Sequence, residues 1–443
     1  VQLLRWLLKP VELLEECARL YGDSFTIRFA GFPPLVFFSA PAAVQQIFRA
    51  SAGQLRSGNV SVQTLVGEHS LLMLDGLKHV QHRQLMQPTL HGGHVDGYIG
   101  VIQEITRDVV SGWNEGRGFP LHPEMQRITL EVILRTVFGF TDQAEIAWLR
   151  DRFTRFLSLM SKPLLQFPQL QIDLGRFTAW GRAMQLKREI DAKLYERIAQ
   201  CRSAGLSGKG DVLSRLVAAR DEEGQALSDV ELHDEMMTLL VAGHETTAIS
   251  LTWTFHWLLR HRGVYDKVRE EIRRVVGSAP LNLERLRGLE YTTAVIDETL
   301  RLNPVFPLVI REVAAPIRIG GYDLPAGVFV APCVYLAHRR SAVWNEPEEF
   351  RPERFLGTRT DPNEYFPFGG GSHVCIGPSF AMFEMRIVLA EIISRVAVHP
   401  EGKRPVHVVR RGFTFSPSLG LPVRIERLAA PLSLPGLSLH HLG

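Results

Sequence analysis

The residues with the clearest chemistry lie in the stretch FPFGGGSHVCIG, Phe366 to Gly377. There a lone cysteine, Cys375, follows three glycines and a histidine and precedes the helical-looking SFAMFEMRIVLAEIISRV. A cysteine just ahead of a helix sits among free backbone N–H groups at the positive end of the helix dipole, which favours thiolate over thiol. A thiolate is a metal ligand and one of the few side chains that hold haem iron. Three successive glycines lose much backbone entropy on folding, so something needs the main chain close by. Gly369 to Gly371, with Gly377, would let the chain pass beneath a flat macrocycle and donate N–H bonds to the sulfur. His373, two residues before the cysteine, is placed to reach an anionic group of the same ligand. Most free cysteines are simply small buried hydrophobes, so the rest of the chain has to decide.

A second constellation is LLVAGHETTAIS, inside a helix that starts at Ser228, where Ser228-x-x-Glu231 reads as a capping box, and runs to about Arg262. Gly243 and the pair Thr246–Thr247 violate helix preference, and such violations often mark functional sites. A local opening of the helix is expected there, with Gly243 leaving room for a ligand against the backbone. Glu245 and Thr246 place an acid beside an alcohol: the hydroxyl both donates and accepts, and the carboxyl recharges it. His244 reads as a histidine satisfied within the helix.

Two sets of basic residues complete the pattern. In DGLKHVQHRQLMQP, His79 and Arg83 are four apart and share a helix face, and Arg311 stands in PLVIREV. Such donors suit paired carboxylates. His82 points elsewhere on the helix and is expected in solvent. In DETLRLNP, Glu298 and Arg301 are three apart on a helix that Pro304 ends, and Arg354 follows in FRPERF.

In their order along the chain these motifs resemble the cytochrome P450 family of haem-thiolate monooxygenases, the standing example of cysteine-ligated haem. The matches are Phe368-x-x-Gly371-x-x-x-Cys375-x-Gly377, Ala242-Gly243-x-Glu245-Thr246-Thr247, Glu298-x-x-Arg301 and PERF, so the resemblance spans nearly the whole chain. It implies haem b (iron protoporphyrin IX), with Cys375 on the iron and Phe368, Gly377, Ala242 and Gly243 against the cofactor. His79, Arg83, Arg311 and His373 would meet the propionates. Thr246 would contact dioxygen while Glu245 relays protons from solvent. Glu298, Arg301 and Arg354 would form a buried ionic triad that helps retain the haem. Val305, Phe306, Leu308 and Val309 map beside the substrate.

With the apolar lid candidate LSLMSKPLLQFPQLQIDL, and with residues 56–75 and TFSPSLG, these suggest a greasy substrate. A fatty acid, terpenoid, steroid-like or polyketide molecule would be hydroxylated or epoxidised with dioxygen. The chain carries no flavin or Rossmann fingerprint, so electrons would come from a separate ferredoxin or flavoprotein reductase, with Arg386 a candidate docking charge. The rivals are a haem-thiolate isomerase or peroxygenase, or a non-catalytic haem- or lipid-binding protein. The intact Glu245–Thr246 pair favours the monooxygenase.

The elements that must position these groups fit an ordinary globular composition, 443 residues with 45% hydrophobic and 22% charged side chains. A net charge of only +3 does not point to nucleic acid. Four scattered cysteines without a C-x-x-C pair exclude a disulfide framework and suggest a reducing, cytoplasmic compartment. The opening VQLLRWLLKPVELL is broken by Arg5, Lys9 and Pro10 and is too short to span a bilayer, so no transmembrane anchor is seen. MMTLLVAGHETTAISLTWTFHWLL looks more membrane-like, but Glu245 at its middle would cost about 2.5–3.5 kcal/mol in lipid, so a helix buried in protein is expected.

The pattern predicts a mainly α protein with small β-sheets (α+β) and a single haem domain over 1–443. β-Rich portions are expected near 24–40, 316–331 and 405–426, and helices over 76–303 and 379–396. A monomer is expected.

Overall fold

Ser228 begins the long helix that organises the protein. Its hydroxyl accepts from the Glu231 N–H while the Glu231 carboxylate accepts from the Ser228 N–H, and the reciprocal cap starts a helix over Asp229–Arg260. At 32 residues it is about 48 Å long. It is buried without a break over Leu232–Leu240 and again over Thr247–His256, as expected of a helix that is apolar nearly all round. The computed structural model describes residues 2–29, 31–58, 62–90, 96–162, 165, 171–203, 210–277 and 280–428. The lid candidate at 157–174 falls partly outside the described residues, as do residues 59–61 and everything after 428.

Helices Leu121–Thr136, Ala179–Ser203, Arg262–Val275, Glu290–Leu302 and Pro378–Arg395 pack against this central helix. The last opens on Pro378, whose missing N–H costs nothing in a first turn. It ends where the β-branched VAVHP begins a strand, Val396–Pro400.

The sheets are small and lie to the side of the helices. Five strands run in the spatial order Ser24–Ile27, Leu35–Phe38, Phe329–Pro332, Arg311–Val313, Leu55–Ser57, with one parallel pair, Leu35–Phe38 beside Phe329–Pro332. Phe119–Pro120, Pro422–Arg427 and Val396–Pro400 make a second sheet. Two hairpins, Ile317–Ile319 with Tyr322–Leu324 and Val408–Arg411 with Thr414–Pro417, complete the β structure.

The protein is thus mainly helical with small sheets. Leu55–Ser57, Phe119–Pro120 and Arg311–Val313 are too short to announce themselves by alternation; each is a strand because a partner edge is there. Among the described residues no helix is long and apolar enough to cross a membrane.

Candidate functional site

The cysteine loop reaches its position by a tight backbone path. Gly369 and Gly371 have φ of +74° and +70°, the left-handed region where a Cβ is penalised. A Cβ on Gly370 would lie 2.4 Å from the Phe48 ring, and one on Gly371 would lie 2.6 Å from the Phe48 carbonyl oxygen. At Gly370 and Gly371 the missing Cβ therefore admits the Pro41–Arg49 helix. Gly377 is different: nothing crowds its Cβ position, and its N–H donates to Cys375 Sγ at 3.4 Å. The Cys375 N–H donates to the Phe368 carbonyl at 2.9 Å, which closes the loop.

Cys375 is solvent-accessible. Even so, surrounding protein pushes its thiol pKa up, while the Gly377 N–H and the Arg83 charge pull it down. Accessibility inside dense protein describes the wall of a cleft. The central helix also has a partly accessible window. Between its two buried stretches Val241, Ala242, Gly243, Glu245 and Thr246 become partly accessible.

Through this window the helix remains closed, contrary to the expected opening. Thr246 donates its hydroxyl to the Ala242 carbonyl at 2.5 Å and Thr247 to Gly243 at 2.9 Å, so the polar side chains are satisfied within the helix itself. A Cβ on Gly243 would meet Ile133 Cδ1 at 2.9 Å. The glycine thus admits Ile133 of the Leu121–Thr136 helix. His244 is buried edge-on to Phe153, with Nδ1 unpartnered, and burial lowers its pKa to about 4. It is not the satisfied histidine expected.

Glu245 accepts from Gln126 Nε2 at 2.6 Å and from His122 Nε2 at 3.3 Å. Burial would raise its pKa, but the His122 hydrogen bond leads the opposing effects and the value falls to about 2. The His244 ring on the central helix and the His122 and Gln126 side chains of the Leu121–Thr136 helix share in this depression.

The basic residues converge. The His79 and His373 rings lie 4.2 Å apart between centroids, and His373 Nε2 bonds Asp75 at 3.0 Å. Arg83 donates to the Val374 carbonyl at 2.8 Å and Arg311 to that of Gly370 at 3.4 Å, so both reach the cysteine loop. Burial lowers the His79 pKa to about 4, helped by the positive charges of His373, Arg83 and Arg311, with Asp75 the opposing acid. Burial also lowers Arg311 to about 10. This cluster carries more positive charge than Asp75 offsets, beside an accessible sulfur. That donor set fits a haem, with its iron on Cys375 and its carboxylates on the basic cluster.

Behind the loop, Glu298 and Arg301 are fully buried. Arg301 Nε and Nη2 hold the two Glu298 oxygens at 2.7 and 2.9 Å, and Arg354 Nε adds a third bond at 3.0 Å.

Other residues depart from expectation. His82 is buried and bonds Glu235 at 2.7 Å, because the Gly76–Met86 helix lays that face on the central helix instead of solvent. Arg386 is spent on the Met382 and Leu286 carbonyls and does not present a free docking charge. Val305 is core, packed with Ile249 and Trp253, and therefore does not line an open pocket. Phe306 is 42% exposed. Leu308 bridges to Cys333, and Val309 packs with Val44 and Phe366. Sequence reasoning missed His122 and Gln126, whose only signal is their spacing of four on one helix.

The family model described as Cytochrome P450 matches residues 2–421. "Putative cytochrome P450 135B1" of Mycobacterium tuberculosis is 38% identical over 434 residues, covering 96% of this chain and 89% of its own length. "Putative cytochrome P450 137" of the same organism is 35% identical, covering 92% of this chain and 84% of its own length. Among solved structures, retinoic acid-bound cyanobacterial CYP120A1 superposes with a TM-score of 0.84 at 25% identity, over 95% of each chain. The chain belongs to the cytochrome P450 family. It is accordingly a haem-dependent monooxygenase.

Proposed function

We propose that this monooxygenase oxidises an apolar small molecule such as a fatty acid, terpenoid, steroid-like or polyketide compound, inserting oxygen at a C–H bond or an alkene. Electrons reach it from a separate ferredoxin or flavoprotein. The observation that carries the reading is the accessible window Val241–Gly243, Glu245 and Thr246 in an otherwise buried helix, together with the accessible Cys375. Apart from Glu245 and Thr246 that window is apolar, and Phe306 adds an exposed aromatic ring. The cyanobacterial relative holds retinoic acid, a largely apolar molecule.

Haem b, when bound, supplies the oxidising chemistry. The Cys375 thiolate holds it, and the Gly377 N–H steadies charge on the sulfur. His79, Arg83 and Arg311 bind its carboxylates, and His373, through Asp75, orients that cluster. Glu245 accepts protons from solvent and passes them toward Thr246, whose hydroxyl donates at the reaction centre. The Glu298–Arg301–Arg354 triad braces the segment behind the loop.

Three measurements on the haem-loaded protein test this. Apolar compounds are screened for a low-to-high-spin shift, and hits are expected among extended apolar molecules; a response confined to polar ones refutes the substrate class. Thr246→Ala is expected to divert electrons from product to peroxide, and unchanged coupling refutes its role. Cys375→Ser is expected to abolish the red-shifted Soret band of the reduced carbonyl complex; a retained band refutes the ligand.

A further inference from the structure

Asp75 stands at the N-cap position of the Gly76–Met86 helix with extended backbone, φ −131° and ψ 165°, as a capping aspartate would. Yet its side chain accepts nothing from that helix. Both oxygens turn instead to the N–H of Ser57, at 3.0 and 3.2 Å, and Oδ1 also meets His373 Nε2 at 3.0 Å. One N–H shared by both oxygens fixes the plane of the carboxylate, and that plane in turn holds the edge of the His373 ring.

Each partner belongs to a segment that carries part of the basic cluster. Ser57 lies opposite Arg311 in the antiparallel pair of Leu55–Ser57 with Arg311–Val313. Asp75 precedes His79 by about one helical turn, with Arg83 a turn further on. His373 belongs to the cysteine loop, and its ring lies 4.2 Å from that of His79 between centroids. One carboxylate thus ties together the strand that faces Arg311, the helix of His79 and Arg83, and the cysteine loop. Its bond to His373 uses Nε2 whichever partner carries the hydrogen, which leaves Nδ1 as the nitrogen for an incoming carboxylate.

We propose that Asp75 is a positioning residue of the haem site: it sets the His373 ring, and with it the edge of the cysteine loop, against His79 and Arg311, so that the cluster meets the haem carboxylates ready-formed. The proposal rests on the reading of that cluster as the carboxylate site of the haem.

Charge alone predicts the opposite effect, so the sign of the response decides the role. An acid beside a site for two carboxylates repels them. A purely electrostatic Asp75 would therefore loosen the haem, and neutralising it would tighten the site. A positioning Asp75 does the reverse, because an orienting partner fixes the ring that makes the contact.

The test follows haem loss to excess apomyoglobin from the whole chain, loaded either with haem b or with its dimethyl ester, which has no free carboxylates. The parent is expected to keep haem b longer than the ester. In Asp75→Asn haem b should leave about tenfold faster, the lower end of what losing an orienting outer-shell partner does, while the ester leaves as before. Asp75→Ser keeps a good helix N-cap but is too short to reach His373, and should give the same result if Asp75→Asn folds poorly. In a His373→Ala background, Asp75→Asn is expected to add nothing. The red-shifted Soret band of the reduced carbonyl complex should persist in Asp75→Asn, because the substitution leaves Cys375 untouched.

Haem b that leaves both Asp75 variants at the parent rate or more slowly overturns the proposal. So does equal acceleration of haem b and the ester, which assigns Asp75 to fold stability alone. A lost carbonyl band, or a full effect of Asp75→Asn without His373, overturns the route through that ring. A parent that holds the two cofactors equally refutes the carboxylate reading of the cluster itself, and this inference with it.

Discussion

Arg301→Lys tests whether the buried triad works by charge or by geometry. All five guanidinium N–H groups of Arg301 are used: Nε on Glu298 at 2.7 Å, Nη2 on Glu298 at 2.9 Å and on the Glu349 carbonyl at 3.1 Å, Nη1 on the carbonyls of His338 at 2.8 Å and Pro347 at 2.7 Å. A lysine keeps the charge that Glu298 requires but offers three donors from one point. At least two of these five bonds must then be lost, at about 1–3 kcal/mol each for bonds to a charged donor, so the loss should be about 2–6 kcal/mol. Scaling the usual unfolding entropy per residue to 443 residues gives about 0.9 kcal/mol/K, and the transition should fall by roughly 2–6 °C. Thermal unfolding followed by circular dichroism reads this directly. Arg354→Lys is the internal control, because that side chain makes a single bond to Glu298 and reaches its carbonyls near the surface. It should cost clearly less. Should Arg301→Lys unfold within about 1 °C of the parent, or Arg354→Lys prove the more damaging, the geometric account is wrong.

Two further outcomes follow. Gly370→Ala drives a methyl into the Phe48 ring and should cost about 1–3 kcal/mol by overpacking, with accelerated haem loss. Phe48→Leu should recover part of it, and strictly additive losses in the double variant would refute the contact as the cause. The second outcome concerns acid. Glu245 is lowered from 4.5 to about 2 in the folded chain, so its contribution is fully present above the unfolded value and is lost as pH falls through the folded one. The stability gap between the parent and Glu245→Gln, up to about 3 kcal/mol, should narrow between about pH 5 and about pH 2 in denaturant titrations. A gap that stays constant over that range contradicts the ionised, bonded carboxylate.

Much of this protein was legible in its sequence because several signals are local. Ser228-x-x-Glu231 states a helix start whatever surrounds it, and the capping box formed as read. Glu298 and Arg301 are brought together by helical spacing alone. Legibility ended where the crossing of two elements decides. His82 reads as a surface residue until the Gly76–Met86 helix is laid on the central one, and Arg386 reads as a free charge until the Leu286 carbonyl arrives. Gly243 carries a correct signal, the need for space, without saying on which side; Ile133 is 110 residues away in the chain. The stripe His122, Gln126, Thr129, Ile133 has the period of any amphipathic helix, so its partner carboxylate could be found only in three dimensions.

The closed central helix changes how the window must operate. Its threonines and serine do not loosen it: Thr246, Thr247, Ser250, Thr252 and Thr254 each return a hydroxyl to the carbonyl four residues back, at 2.5–2.9 Å. Such back-bonding satisfies the hydroxyls inside the helix, although it often bends one. At rest, Thr246 therefore offers the site only acceptor lone pairs, its hydrogen being committed to Ala242. To donate, it must rotate that hydrogen away from the carbonyl, a change of side chain and not of backbone. Glu245 is likewise committed, to His122 and Gln126. Both members of the acid–alcohol pair are thus held by partners of their own, the alcohol within the central helix and the acid across the seam with the Leu121–Thr136 helix. In the proposed relay, proton delivery would depend on releasing these two side-chain bonds and would require no unwinding of the helix.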